Sequence, residues 1–273
     1  MSAQRLQRIQ EILARAMTVP FAHRGLFVPS LAPENSLAAF RAALDNGFGM
    51  ECDVHVTSDD RVIVFHDDAL ERLTNGAGQV ADMRWSHLSS ICLQGTSEHI
   101  PLLEDLLALV GQHMPTLPLV IELKSFGKAG WDRSGRLERA TLRALQGYGG
   151  DALLKSFNPF SVQLLLDLQS DWPVGQLACQ MHTDGDFGYL RAEDAKILST
   201  LASATARQAH FVSYGINDLN ETLRHDPELQ FKPWMSWTIR TREQLEKAKE
   251  LGCQLVFERS VLEEVIKQRG SSH

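Results

Sequence analysis

Residues 50–56 read Met-Glu-Cys-Asp-Val-His-Val, and residues 119–124 read Leu-Val-Ile-Glu-Leu-Lys. Side chains alternate across an extended strand, so Glu51, Asp53 and His55 share one face of the first stretch while Cys52, Val54 and Val56 take the other. In the second stretch an apolar strand ends in Glu122 and Lys124, again on one face. Carboxylates side by side on an inward face repel one another and lose their hydration, so something positive has to offset them. Apolar strands that finish in charged residues are how the catalytic end of a parallel α/β barrel reads in sequence.

Outward from these two stretches, short β-rich runs recur at 20–23, 61–65, 152–156, 174–178, 210–213, 234–238 and 254–257. Helical patterns lie between most of them, at 34–46, 102–112, 134–147, 160–169, 192–207, 241–251 and 260–268. Alternation of strand and helix argues for a parallel sheet with crossover helices. With 61–65 taken as a hairpin extension, eight strands remain, the number a closed TIM (β/α)8 barrel needs. An open doubly wound sheet is the competitor, but no GxGxxG follows the first strand. The alternation lapses between about 57 and 101, where Thr57-Ser58-Asp59-Asp60 and Asn75-Gly76-Ala77-Gly78 signal turns. That stretch reads as a small insertion after the second barrel strand, above the C-terminal face.

The chain divides into an N-terminal amphipathic helix, 1–19, and a barrel, 20–273. The helix carries Leu6, Ile9, Leu13 and Ala16 at helical spacing, with Arg5, Arg8 and Arg15 elsewhere. It is expected to cover the bottom of the barrel; a targeting or membrane-surface helix, and with it peripheral membrane contact, is the alternative. The 273 residues fit one barrel, and 44% apolar with 22% charged residues excludes disorder. Lys and Arg total 27 against 34 Asp and Glu, a net charge of −7, which lacks the basic footprint of a duplex-binding protein. Cys52, Cys92, Cys179 and Cys253 lie far apart without CxxC spacing, so zinc and redox motifs are absent and reduced thiols are expected. No run of 18 apolar residues and no secretory apolar region occurs, so a cytoplasmic protein without a transmembrane segment is expected.

Three carboxylates, Glu51, Asp53 and Glu122, suit one oxygen-ligated divalent cation, Mg²⁺ or Ca²⁺, better than zinc. The alternative is a carboxylate group neutralised by Lys124 and Arg24 alone. His23 ends the first strand in Ala-His-Arg-Gly, and His66 ends 61–65 in Val-Phe-His-Asp. Histidine suits proton transfer near neutral pH, which makes both candidate acid–base groups. Arg24 offers a fork that fits a phosphate, and Gly25 allows a sharp turn after it.

These residues resemble the glycerophosphodiester phosphodiesterase family, in the phospholipase C-like phosphodiesterase superfamily. The likeness runs through His23-Arg24-Gly25, Pro33-Glu34-Asn35-Ser36, Glu51-Cys52-Asp53-Val54 and Val64-Phe65-His66-Asp67. It continues through Leu70-Glu71-Arg72-Leu73-Thr74, Ile100-Pro101-Leu102-Leu103, Ile121-Glu122-Leu123-Lys124, Ser156-Phe157 and Ser236-Trp237-Thr238, covering roughly 20–258. The resemblance implies a TIM barrel that hydrolyses a small-molecule glycerophosphodiester to sn-glycerol 3-phosphate and an alcohol. It implies Glu51, Asp53 and Glu122 as metal ligands, His23 and His66 as the acid–base pair, and Arg24 and Lys124 on the phosphate. We take His23 as base and His66 as acid; water or a glycerol hydroxyl could be the first nucleophile.

The family's usual "WTVN" is here Trp237-Thr238-Ile239-Arg240, and its "TDxP" is Phe257-Glu258-Arg259-Ser260. Arg240 and Glu258 could pair with each other or read an unusual headgroup. Glu34 and Asn35 read chiefly as a helix cap, with support of the metal ligands as the alternative. His55 could line the site or hydrogen-bond near the strand end, and Trp237 could wall the pocket. Phe126, Trp131, Phe160, Phe187 and Tyr189 fall in loops after strands and could form an apolar rim. His87, His99, His113, His182, His210, His225 and His273 belong to no motif and read as surface or structural. The competing functions are a lysophospholipase D-like enzyme at a membrane surface and a non-catalytic barrel that only binds.

Overall fold

The strands Phe21–His23, Gly49–Val56, Leu119–Leu123, Ala152–Ser156, Val174–Ala178, Phe211–Gly215, Trp234–Ile239 and Gln254–Phe257 lie parallel, each beside the next in sequence. The first also pairs with the last, Phe21 against Val256 and Ala22 against Phe257, so the sheet closes into an eight-stranded barrel. These positions come from a computed structural model that describes residues 2–113, 116–127, 130–182 and 190–270. The strand at 61–65 is Val62–Val64; it runs antiparallel to the second barrel strand, Val64 against Val54, and stands outside the closed ring.

The longer helices cover the outside because they carry an apolar stripe. Leu37–Asp45 buries Ala39, Phe40, Ala43 and Leu44, and the Ser36 side chain accepts from the Ala39 amide at its N-terminus. Arg242–Glu250 starts with a reciprocal Thr241–Gln244 capping box and buries Leu245 and Ala248. The single helix expected over 192–207 is two, Ala192–Ser199 and Ala204–Gln208. Leu201 adopts a left-handed φ of 54° between them, and Ser203 caps the second.

Register decides which residues meet. His23 stands level with Glu51, Asp53 with Glu122, and Glu122 with Lys155. Residues level with one another on neighbouring strands point to the same face, so four strands deliver charged groups to one end of the barrel interior.

The N-terminal helix is Ala3–Ala16, and it buries Ile9, Ile12, Leu13 and Ala16. Ile12 takes the buried place expected of Leu6, which is 43% exposed. Two of its arginines fasten it to the strands' N-terminal end. Arg5 donates to the Ser170 carbonyl, and Arg15 pairs with Asp151, the residue before the fourth strand. The apolar face is thus spent on the barrel floor. The insertion holds its own small core, built around Ile63, Phe65, Leu70, Val80, Leu88 and Leu93. The four cysteines are free thiols. Among the described residues no helix is long and apolar enough to cross a membrane.

Candidate active site

Glu51, Asp53 and Glu122 offer one oxygen each within 4.8 Å of one another, at the C-terminal end of the barrel interior. They are 0%, 1% and 6% exposed. Three cations offset them. Lys124 Nζ is 2.9 Å from Glu122 and 3.7 Å from Asp53. Arg24 Nε is 3.3 Å from Asp53 without the alignment of a hydrogen bond. The third is Lys155, whose Nζ lies 2.9 Å from Glu51 Oε1 and 3.6 Å from Glu122 Oε2. Burial opposes the charge on Asp53 and Glu122, yet both carboxyls stay below the usual range. For Asp53 the neighbouring charges of His66, Arg24 and Lys124 outweigh it; for Glu122, those of Lys124 and Lys155 do.

The expectation that Asn35 caps a helix is corrected: Ser36 does that, and Asn35 turns inward. Asn35 is 1% exposed; its Nδ2 donates to Asp53 Oδ2 at 2.9 Å and its Oδ1 accepts from the Asp53 amide at 3.2 Å. Both hydrogen bonds aim the carboxylate. Gly25 has φ +80°, and a Cβ there would come within 2.7 Å of the Ala39 backbone. Only glycine lets the chain turn this tightly after Arg24, whose amide donates to Glu51 Oε2 at 3.3 Å.

His23 and His66 line one cavity of about 650 Å³ with Arg24, Lys124, Trp237 and Arg240. His23 Nδ1 is 3.0 Å from Glu258 Oε1, which forces the Nδ1–H tautomer and turns Nε2 away from that carboxylate. Glu258 is gripped in turn by Arg240, at 2.8 and 2.7 Å. Burial opposes the charge on Glu258, but hydrogen bonds from His23 and Arg240 pull its pKa down to about 2. His66 Nδ1 is 2.7 Å from Asp67 Oδ1, and its Nε2 is 3.3 Å from Lys124 Nζ. Arg72 holds Asp67 and Glu34, and Glu34 accepts from Arg24 at 2.6 Å. His55 is one shell back: its Nε2 donates to the His66 carbonyl at 3.0 Å, and burial lowers its pKa.

Trp237 stands edge-on to Phe157, ring centres 5.6 Å apart, with its buried Nε1 unpaired beside the cavity. His182, read as surface or structural, lines the same cavity. Phe187 and Tyr189 lie outside the described residues, as do His273 and the side chain of Phe126. A larger cleft of about 780 Å³ lies beneath the N-terminal helix; its lining contains no histidine and a single carboxylate, Asp171, so it holds neither an acid–base histidine pair nor a cluster of metal-ligating carboxylates.

Sequence reading missed Lys155 and the support given by Glu258, Asp67 and Arg72. Lys155 left one signal, a lysine at the end of the apolar run Ala-Leu-Leu-Lys.

A divalent cation fits this donor set. Two oxygens on one Ca²⁺ at about 2.4 Å each are at most roughly 5 Å apart, as these three carboxylates allow. Glu51 Oε1 is moreover a buried carboxylate oxygen with no aligned hydrogen bond.

A family model described as the glycerophosphoryl diester phosphodiesterase family matches residues 23–258. A glycerophosphodiester phosphodiesterase of Bacillus altitudinis is 40% identical over 120 residues, 40% of this chain and 46% of that protein. One from Caldanaerobacter subterraneus is 29% identical over 169 residues, 59% of this chain and 66% of the relative. The chain therefore spans between about half and two thirds of these relatives' lengths. The solved structure of an Oleispira antarctica phosphodiesterase, in complex with the product sn-glycerol-3-phosphate, superposes with a TM-score of 0.70 at 21% identity. That match covers 89% of this chain and 94% of the other, and it establishes the shared barrel.

Proposed function

The chain belongs to the glycerophosphoryl diester phosphodiesterase family, whose members are phosphoric diester hydrolases, and on that footing we propose that it hydrolyses glycerophosphodiesters to sn-glycerol 3-phosphate and an alcohol. One observation carries the reading. Two histidines, each with Nδ1 tied to a carboxylate, open onto the cavity that Arg24 and Lys124 also line. The product held by the Oleispira antarctica enzyme is consistent with it.

The diester enters with one negative charge, and charge builds on the phosphoryl oxygens as the new P–O bond forms. Arg24 and Lys124 line the cavity and would meet those oxygens with positive charge, in a site where buried charge acts strongly. Glu51, Asp53 and Glu122 would hold a divalent cation, Mg²⁺ or Ca²⁺, which supplies Lewis-acid stabilisation of the same charge. One histidine takes the proton of the attacking hydroxyl, from water or from glycerol, and the other gives a proton to the departing alcohol oxygen. Asp67 and Glu258 fix the rings and stabilise each imidazolium as it forms. The order expected from the sequence has His23 as base and His66 as acid. It requires His66 Nε2, which faces the Lys124 ammonium at 3.3 Å, to exchange that contact for a proton when substrate arrives.

The test is release of glycerol 3-phosphate from glycerophosphocholine and glycerophosphoethanolamine, with EDTA and then with Mg²⁺ or Ca²⁺ restored. Turnover that EDTA removes and one ion restores supports the reading; absence of turnover on both diesters overturns it. A second reading, hydrolysis of lysophospholipids, is favoured by Leu31 and Phe160. Leu31, 74% exposed, lies in the loop after the first barrel strand; Phe160, 40% exposed, is corrected from a loop to the first turn of the helix Pro159–Asp167 that follows the fourth. Lysophosphatidylcholine cleaved faster than glycerophosphocholine would favour it.

A further inference from the structure

Lys155 is used by no step above. It is 1% exposed and, unlike Lys124 and Arg24, is not part of the cavity lining, so a bound phosphate stays out of its reach. Its Nζ instead lies behind the carboxylates, 2.9 Å from Glu51 and 3.6 Å from Glu122. Burial works against its charge, and the charges of Glu51 and Glu122 outweigh burial and raise its pKa. Three carboxylates therefore face three cations, Lys155, Lys124 and Arg24, of which Arg24 is shared with Glu34.

We infer that Lys155 is a built-in counter-cation: it holds the three carboxylates together in the metal-free chain and, by occupying Glu51 and Glu122, weakens the centre's affinity for a divalent cation. The inference rests on the metal reading proposed above. Its physical basis is simple. A dication entering among Glu51, Asp53 and Glu122 meets an ammonium that already contacts two of them, and repulsion at such range is strong in a buried site. Without that ammonium, two cations remain for three carboxylates. Their mutual repulsion is then uncompensated until a dication arrives.

The experiment compares the wild-type chain with Lys155→Met, which keeps an unbranched stem of similar size, and Lys155→Gln. Mg²⁺ and Ca²⁺ are titrated by calorimetry, and thermal unfolding is followed in EDTA and in millimolar ion. The expected result is a Kd for the ion at least about tenfold lower in Lys155→Met than in the wild type. Its melting temperature should also fall by several degrees in EDTA and recover with ion. Wild-type binding with equal or weaker binding by both variants overturns the role of Lys155 and leaves the metal reading standing. No binding by any of the three overturns both. Should neither variant fold, the wild type decides alone. With Lys155 in place, its melting temperature in EDTA should lie within about 3 °C of that in millimolar Mg²⁺, and a much larger fall overturns the proposal.

Discussion

His23 and His66 open onto the same cavity, and each is steadied at Nδ1 by a carboxylate that an arginine holds, yet the two assemblies are built from different distances. His66 takes Asp67, the next residue, at 2.7 Å. His23 takes Glu258 at 3.0 Å, from 235 residues further along, where the last barrel strand ends beside the first. The outer shells differ too. Arg72 bridges Asp67 to Glu34 and so to Arg24, which ties the His66 arm to an arginine that lines the cavity. Arg240 is half-exposed, and Glu258 is the carboxylate it grips. A histidine dyad can thus arise from local sequence or from barrel closure: the first is tied through Arg72 and Glu34 to Arg24, the second directly to Arg240, and both arginines line the cavity.

The largest effects test whether the two arms divide acid from base. His66→Ala and His23→Ala should each lower kcat on an alkyl diester by about 10²–10⁴-fold while circular dichroism stays unchanged. With a nitrophenyl leaving group, which departs without help, the variant lacking the acid should regain most of its activity and the other should not. Equal losses on both substrates would end the division of labour.

A smaller effect separates the supports. Glu258→Gln and Asp67→Asn should each cost about 10–100-fold in kcat, with KM little changed. The Glu258 loss should be the greater, because Arg72 keeps Glu34 whereas Arg240 is left facing His23 with no carboxylate. A larger loss in Asp67→Asn would reverse the comparison. Arg240→Ala should cost less than about tenfold, since the pair it makes is partly in water and Glu258 still meets His23.

The smallest effect is on stability. Glu258 is depressed from 4.5 to about 2, so the stability it contributes is fully present above about pH 4.5 and is lost as pH falls towards 2. Urea midpoints across that window should fall less steeply in Glu258→Gln than in the wild type; parallel curves would show that the His23 arm adds nothing to the fold. His210 follows the same sign as a buried neutral base. Burial first, then the charges of Lys232 and Arg5, lower it from 6.5 to about 4, so its contribution is lost as pH falls from 6.5 towards 4.

Much of this is legible in the sequence. Period-two alternation places Glu51 and Asp53 on one face, and the strand end at Glu122 and Lys124 marks the end of the barrel where the three carboxylates meet. His66 is legible in the motif Val64-Phe65-His66-Asp67, but that the adjacent Asp67 holds its ring shows only in the structure. Helical spacing puts Leu6 on the buried face of the N-terminal helix, where the structure has Ile12, because spacing defines a stripe but not the barrel floor it meets. Asn35 reads in sequence as a cap because polar residues before a helix usually are; its inward turn rests on a left-handed φ of 61° and on Asp53 across the gap.

The sequence by itself determined the strand count, the order of strands and helices, the inward carboxylates and both histidines, because each is written in local periodicity or a contiguous motif. Tertiary structure alone decided that Lys155 stands level with Glu122, and that Glu258 reaches His23. The reason is geometric. Alternation specifies which face a side chain takes, but the partner opposite it is set by the register of neighbouring strands and by closure of the ring, which bring together residues tens to hundreds of positions apart.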